Sequence, residues 1–247
     1  MLIYIPALIA LMVKLYLLYR YRGSWMGMTL SKTLLGLLLL VQVITNVLEL
    51  LAYYYIDSHS ATVLALKVYY VALLWILVFL QQISMIVVWK KPSRFWSWLN
   101  YLTAIVLVCG FLFSDLIISG ASSIEYTVTR IAGAYYWVVP AYVLIALVLS
   151  TGTCVYGYHT LKSQFEKIRC VYLLLALSCQ LTPLVIAQVL MAFDIRVSAA
   201  VMLPIGTSLF LILVSYALSK EELYDVRRLI PFTRMYHFAR NQRHLIM

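Results

Sequence analysis

The chain has 247 residues, 64% of them hydrophobic and only 11% charged, with 19 Lys and Arg against 9 Asp and Glu for a formal net charge of +10. A soluble domain of this size has far less apolar content, and seven helices of roughly 20 apolar residues each use most of the chain and leave no room for a soluble catalytic domain. The positive charge does not read as a nucleic-acid surface, because it gathers in clusters between apolar runs, as the positive-inside rule describes for cytoplasmic loops.

In chain order, the first span is residues 2–19, with Lys14 inside it. Arg20 lies less than two turns further on, so Lys14 is expected to snorkel to the cytoplasmic interface. No basic start precedes this run and no small-residue cleavage site follows it, so it reads as a first span with the N-terminus outside rather than a cleavable signal peptide. Arg20, Arg22 and Lys32 form the first inner cluster. The second span is residues 33–55, and an outside loop, 56–62, leads to the third, 63–89. Lys90, Lys91 and Arg94 follow. Trp96 and Trp98 mark the inner interface of the fourth span, which is expected to end near Ser119, with Asp115 reaching the headgroups.

The longest outside loop, 120–136, is read as holding a short interfacial helix over 124–131. Tyr135, Tyr136 and Trp137 anchor the start of the fifth span, which ends near Tyr158. Lys162, Lys167 and Arg169 form the third cluster. The sixth span is 170–193 with Pro183 near its middle, and the seventh is 197–219 with Pro204 in its outer half, joined by the turn Asp194, Ile195 and Arg196. Prolines inside membrane helices bend them, which serves helix packing or opens a cavity. The tail, 220–247, carries Lys220, Arg227, Arg228, Arg234, Arg240 and Arg243. Leu223, Val226 and Ile230 recur at helical spacing up to Pro231. The tail lies on the anionic inner leaflet or begins a signalling linker.

The expected fold is therefore all-α, a polytopic bundle of seven transmembrane helices. Its N-terminus is outside and its C-terminus cytoplasmic, with residues 1–219 in the membrane domain and 220–247 in a basic amphipathic tail.

Ionisable groups within a membrane are costly, and each is a functional candidate. Gln42, Asn46, Glu49 and Tyr53 are spaced four, three and four apart, on one helix face. Lys67 lies at a similar depth on the third span, and Tyr70 is one turn below it. A Glu49–Lys67 ion pair is expected. One reading is that the pair joins two helices; the other is that Asn46, Glu49, Tyr53, Lys67 and Tyr70 line a ligand pocket or ion path. Gln180, Gln188 and Thr207 either add donors to that outer cavity or bond between helices. Gln81 and Gln82 lie deeper.

Catalysis has little support. Asp57, Ser58 and His59 share a loop with no second acidic or histidine group near them in sequence. The other histidines, His159, His237 and His244, lie at or beyond the inner face. The glycines form no phosphate-cradling loop. Cys109, Cys154, Cys170 and Cys179 have no metal-ligand spacing, and none lies in an outside loop. No enzyme activity, metal or cofactor is expected.

The run from Lys167 through Cys170 to Leu177, followed by Leu181, Thr182, Pro183 and Leu184, resembles the sixth span of the seven-helix N-terminal sensor region of bacterial membrane histidine kinases. The stretch 223–234, with Asp225, Arg227, Arg228, Pro231 and Arg234, is similar to that family's exit from its last helix. The segment 133–137, Gly133 to Trp137, resembles its glycine-aromatic approach to the fifth span. Members of the family usually continue into a PAS, kinase or cyclase module. Here His237 is followed by Phe238 rather than an acidic neighbour, so the resemblance implies a sensor region without its kinase domain, either a standalone subunit or part of a longer protein. It further implies a bacterial inner membrane, and a protein partner or output module that meets Arg227, Arg228, Pro231 and Arg234 at the cytoplasmic face. The function expected is a sensor or regulator that binds a small apolar or amphipathic ligand, or a partner's membrane helix, in its outer half. The alternatives are a non-catalytic assembly or scaffold subunit of a larger membrane complex, and a transporter or channel subunit.

Overall fold

A computed structural model describes residues 4–21, 30–54, 59–89, 93–124, 127–192 and 202–218. Among these residues there are seven helices: α1 (Tyr4–Tyr21), α2 (Leu30–Tyr54), α3 (His59–Trp89), α4 (Arg94–Phe113), α5 (Val138–Thr160), α6 (Gln164–Ala192) and α7 (Met202–Leu218). Leu, Ala and Met, which lose little freedom in a helix, recur throughout. Among the described residues, four stretches are long and apolar enough to cross a membrane: Thr33–Leu51, Ser60–Trp89, Arg94–Phe113 and Val138–Thr160.

Helix α3 is the axis of the bundle. Its apolar stretch is 78% buried, against 22% for α4 and 28% for α5. It packs against α2, α4, α5 and α6, and α7 closes the bundle against α1, α2 and α6. One core unites Leu38 and Leu39 of α2, Ile76, Leu80 and Ile83 of α3, Leu173 and Ala176 of α6, and Phe210, Leu211 and Val214 of α7. A second core joins Leu74 of α3, Leu107 and Phe111 of α4, Ile117, Ile118 and Val139.

The segment read as an interfacial helix over 124–131 is instead a β-hairpin. Strands β1 (Ile118–Ile124) and β2 (Thr127–Ala132) pair antiparallel, from Ile124 opposite Thr127 to Ile118 opposite Ala132, with a register shift between Ile118 and Gly120. The residues explain the change. Ile117, Ile118, Ile124, Thr127, Val128, Thr129 and Ile131 are β-branched, lose rotamer freedom in a helix and suit a strand.

The fourth helix also stops earlier than the position near Ser119 that was expected. It ends at Phe113, and Ser114 is extended at φ −140° and ψ 160°. The Ser114 hydroxyl donates to the Gly110 carbonyl at 2.6 Å. The hairpin is then sewn to the start of α5: Gly133 N–H donates to the Ile117 carbonyl at 2.9 Å and Tyr135 N–H to that of Leu116 at 2.8 Å. Helix α6 begins at Gln164, six residues or about 1.7 turns before the expected Cys170.

Candidate functional site

Two polar clusters interrupt the apolar packing. The first lies between α1 and α2. Ala7, Ala10, Lys14 and Leu17 of α1 are all buried, at spacings of three, four and three, so they form one stripe against its neighbour. Ala7 and Ala10 are small and let α2 approach. Lys14 has no exposed surface. Its ammonium donates to Asn46 Oδ1, and Asn46 Nδ2 donates to the Ala7 carbonyl at 3.1 Å. The opposite charge acting on Lys14 is that of Glu49.

Lys14 therefore does not snorkel toward the interface marked by Arg20. Side chains on a helix lean toward its N-terminus, so Lys14 reaches back toward Ala7 and the amide of Asn46. Gln42, one turn from Asn46 on the same face of α2, is 1% exposed. Neither of its amide atoms has a hydrogen-bond partner among the described residues.

The second cluster lies where α3, the end of α4 and the hairpin meet. Lys67 Nζ donates to Asp115 Oδ1 at 2.7 Å and to the Ser114 carbonyl at 3.1 Å. Asp115, read from sequence as a headgroup contact, is thus the carboxylate of Lys67. The expected Glu49–Lys67 pair does not form, because α2 presents Glu49 toward α1 while α3 presents Lys67 toward α4.

Arg130 of β2 lies over two rings, with its guanidinium carbon 4.5 Å from the centre of Tyr136 and 5.4 Å from that of Tyr70. The two rings meet edge to face at 6.5 Å, and Tyr70 also stacks on Phe111 at 5.6 Å. The Tyr70 hydroxyl lies within hydrogen-bonding reach of both Tyr136 and Arg130. Lys67 and Tyr70, three residues apart, share the face of α3 that meets the hairpin.

The candidate residues read from sequence thus divide. Asn46 and Glu49 belong to the α1–α2 cluster, and Lys67 and Tyr70 to the hairpin cluster. The side chain of Tyr53 lies outside the described residues, as do those of Pro183, Gln188 and Pro204, the loop residues Asp57, Ser58 and His59, and the tail residues Arg227, Arg228, Pro231 and Arg234. Sequence reasoning overlooked Arg130 and Tyr136. The available signal was that Arg130 is one of only two basic residues in the expected outside loops and lies near an aromatic triplet.

Deeper along α3, the Ser97 hydroxyl donates to Gln82 Oε1 at 3.0 Å, and the Tyr142 hydroxyl to Asn100 Oδ1 at 3.1 Å. These bonds tie α4 to α3 and to α5. Arg169, near the start of α6, donates to the Leu218 carbonyl at 3.2 Å, at the last residue of α7. Among the described residues no group of three His, Cys, Asp or Glu is placed to hold a metal ion. No protein-family model, curated protein or solved structure matches the chain.

Proposed function

We propose that the chain is a membrane-embedded sensor or regulatory protein. Its seven helices span the membrane, with the N-terminus outside and the C-terminus in the cytoplasm of a bacterial cell. A small ligand or a partner's membrane helix engages the end of the bundle that carries the hairpin. The tail, 220–247, relays the change.

The observation that carries this reading is the enclosed Lys14 with Asn46 and Glu49. Apolar side chains pack between membrane helices at lower cost than a charged group, so a lysine with no exposed surface marks a functional position by default. The topology is supported by the basic clusters between apolar runs and by four helices of membrane-crossing length. The relay is supported by the Arg169 bond to the Leu218 carbonyl, which joins α6 to the residue from which the tail departs. The similarity of the segments 167–184 and 223–234 to kinase sensor regions points the same way.

A scaffold subunit is the second reading, favoured by α4. That helix is only 22% buried and exposes Phe95, Trp98, Leu102 and Val106, a face suited to lipid or to another membrane helix. Purification from native membranes separates the two. A lone protein whose thermal stability responds to ligand supports the sensor. A stoichiometric complex without ligand response supports the scaffold and sinks the sensor.

A further inference from the structure

We propose that the hairpin cluster is an oxyanion-binding site, and that the ligand it takes carries a phosphate or carboxylate group. This rests on the reading of the chain as a ligand-receiving membrane protein and gives the ligand a chemical class.

The argument begins with Arg130. Its guanidinium lies over Tyr136 at 4.5 Å and over Tyr70 at 5.4 Å. A guanidinium held against aromatic rings still presents N–H groups, which suit the oxygens of a phosphate or carboxylate. The aromatic neighbours also reduce the entropy lost on binding, because the fork is already oriented. No carboxylate pairs with Arg130 among the described residues, and the residue is only partly buried, so an anion can reach it.

Lys67 supplies the second positive charge. It sits one turn from Tyr70 on the same face of α3, and its partner Asp115 has a side chain that is 79% exposed. An exposed carboxylate is well solvated and holds its partner weakly, so an incoming oxyanion can share Lys67. The Tyr136 hydroxyl, which takes the Tyr70 proton, adds a neutral donor at the same place. Two cations and one free phenol, against one exposed carboxylate on Lys67, give the cluster an excess of donors, which selects an anion over a cation or a neutral ligand. The second core, with Leu74, Phe111 and Ile118, packs behind Tyr70 and Tyr136 and holds their rings in place.

Two sources supply this chemistry, an anionic lipid headgroup and a soluble phosphate or carboxylate. The test uses the full chain purified into nanodiscs of phosphatidylcholine. Thermal unfolding and equilibrium binding are measured with inorganic phosphate, with succinate, and after replacing part of the lipid by phosphatidylglycerol. Stabilisation by phosphatidylglycerol alone assigns a lipid headgroup; stabilisation by phosphate or succinate assigns a soluble ligand. In either case Arg130→Gln weakens binding about tenfold or more, and Arg130→Lys, which keeps the charge but not the fork, falls between. Lys67→Met weakens it less.

Helicity and unliganded unfolding temperature of each variant report folding, and R130K serves if R130Q does not fold. No response to any of the three probes, or a response that both Arg130 variants retain, overturns the site. Failure of the sensor reading would look different: a stable complex in native membranes whose output ignores ligand, alongside an intact Arg130-dependent anion affinity.

Discussion

Lys67 and Asp115 meet at 2.7 Å, joining the third turn of α3 to the residue just past the point where α4 turns into the hairpin. The bond lies just past the point where the fourth helix stops. It also sets Ser114, whose carbonyl takes a second hydrogen bond from the same ammonium at 3.1 Å. Because the Asp115 side chain is 79% exposed, the pair positions the hairpin more than it stabilises the bundle.

Asp115→Asn should therefore lower stability by less than about 1 kcal/mol, as for other exposed pairs. Denaturation of the detergent-solubilised protein measures this. A loss of several kcal/mol would show that the pair is far better desolvated than its exposure indicates.

Asn46→Leu and Gln42→Leu should act in opposite directions, although the two residues are one turn apart on α2. Losing Asn46 strands the Lys14 ammonium without its amide partner and should cost about 3 kcal/mol or more. Losing Gln42 removes a buried amide that has no partner among the described residues and should stabilise by about 1 kcal/mol. A Lys14→Met change added to Asn46→Leu should recover most of the first loss, which a double-mutant cycle would record.

Gly133→Ala should undock the hairpin. A β-carbon there would lie within the van der Waals shell of the Leu116 carbonyl and 2.6 Å from that of Asp115, and both are backbone atoms that cannot turn aside. Faster hydrogen exchange across residues 116–135, with the helices still protected, is the expected result.

Gly157→Ala and Gly152→Ala form a matched pair within α5. At Gly157 the new methyl group would sit 2.6 Å from Val88 Cγ2 and 3.0 Å from Cys170 Sγ, where α5 meets α3 and α6; at Gly152 nothing lies within 4 Å. The first change should destabilise by about 1–3 kcal/mol through overpacking. The second should be neutral or stabilising by up to about 1 kcal/mol, the helix propensity gained over glycine.

Arg169→Gln should loosen the end of α7. The guanidinium bond to the Leu218 carbonyl satisfies a group at a helix C-terminus, where a positive charge also suits the helix dipole. Faster exchange at the last turn of α7, with α6 unchanged, would bear this out. Unchanged exchange there would remove Arg169 from the proposed relay.

Much of this architecture was legible in the sequence. An apolar run long enough to cross a membrane is a property of consecutive residues, and so is a basic cluster. The helix bounds accordingly fall within a few residues of the expected ones for α1, α2 and α5, and the stripe of Gln42, Asn46 and Glu49 on one face follows from helical period alone. The partners of the charges were not legible. Period tells which side chains share a face of α2, but not which helix lies against that face. Sequence spacing favours Lys67 as the partner of Glu49 and sends Lys14 to the interface. The packing of α1 on α2 through Ala7 and Ala10 decided for Lys14, and the early end of α4 gave Lys67 to Asp115. The hairpin escaped for a related reason. Its short β-branched strands have no long period to announce them, and they are held by hydrogen bonds to each other and to the start of α5. Only that tertiary contact brings Arg130 over Tyr70 and Tyr136.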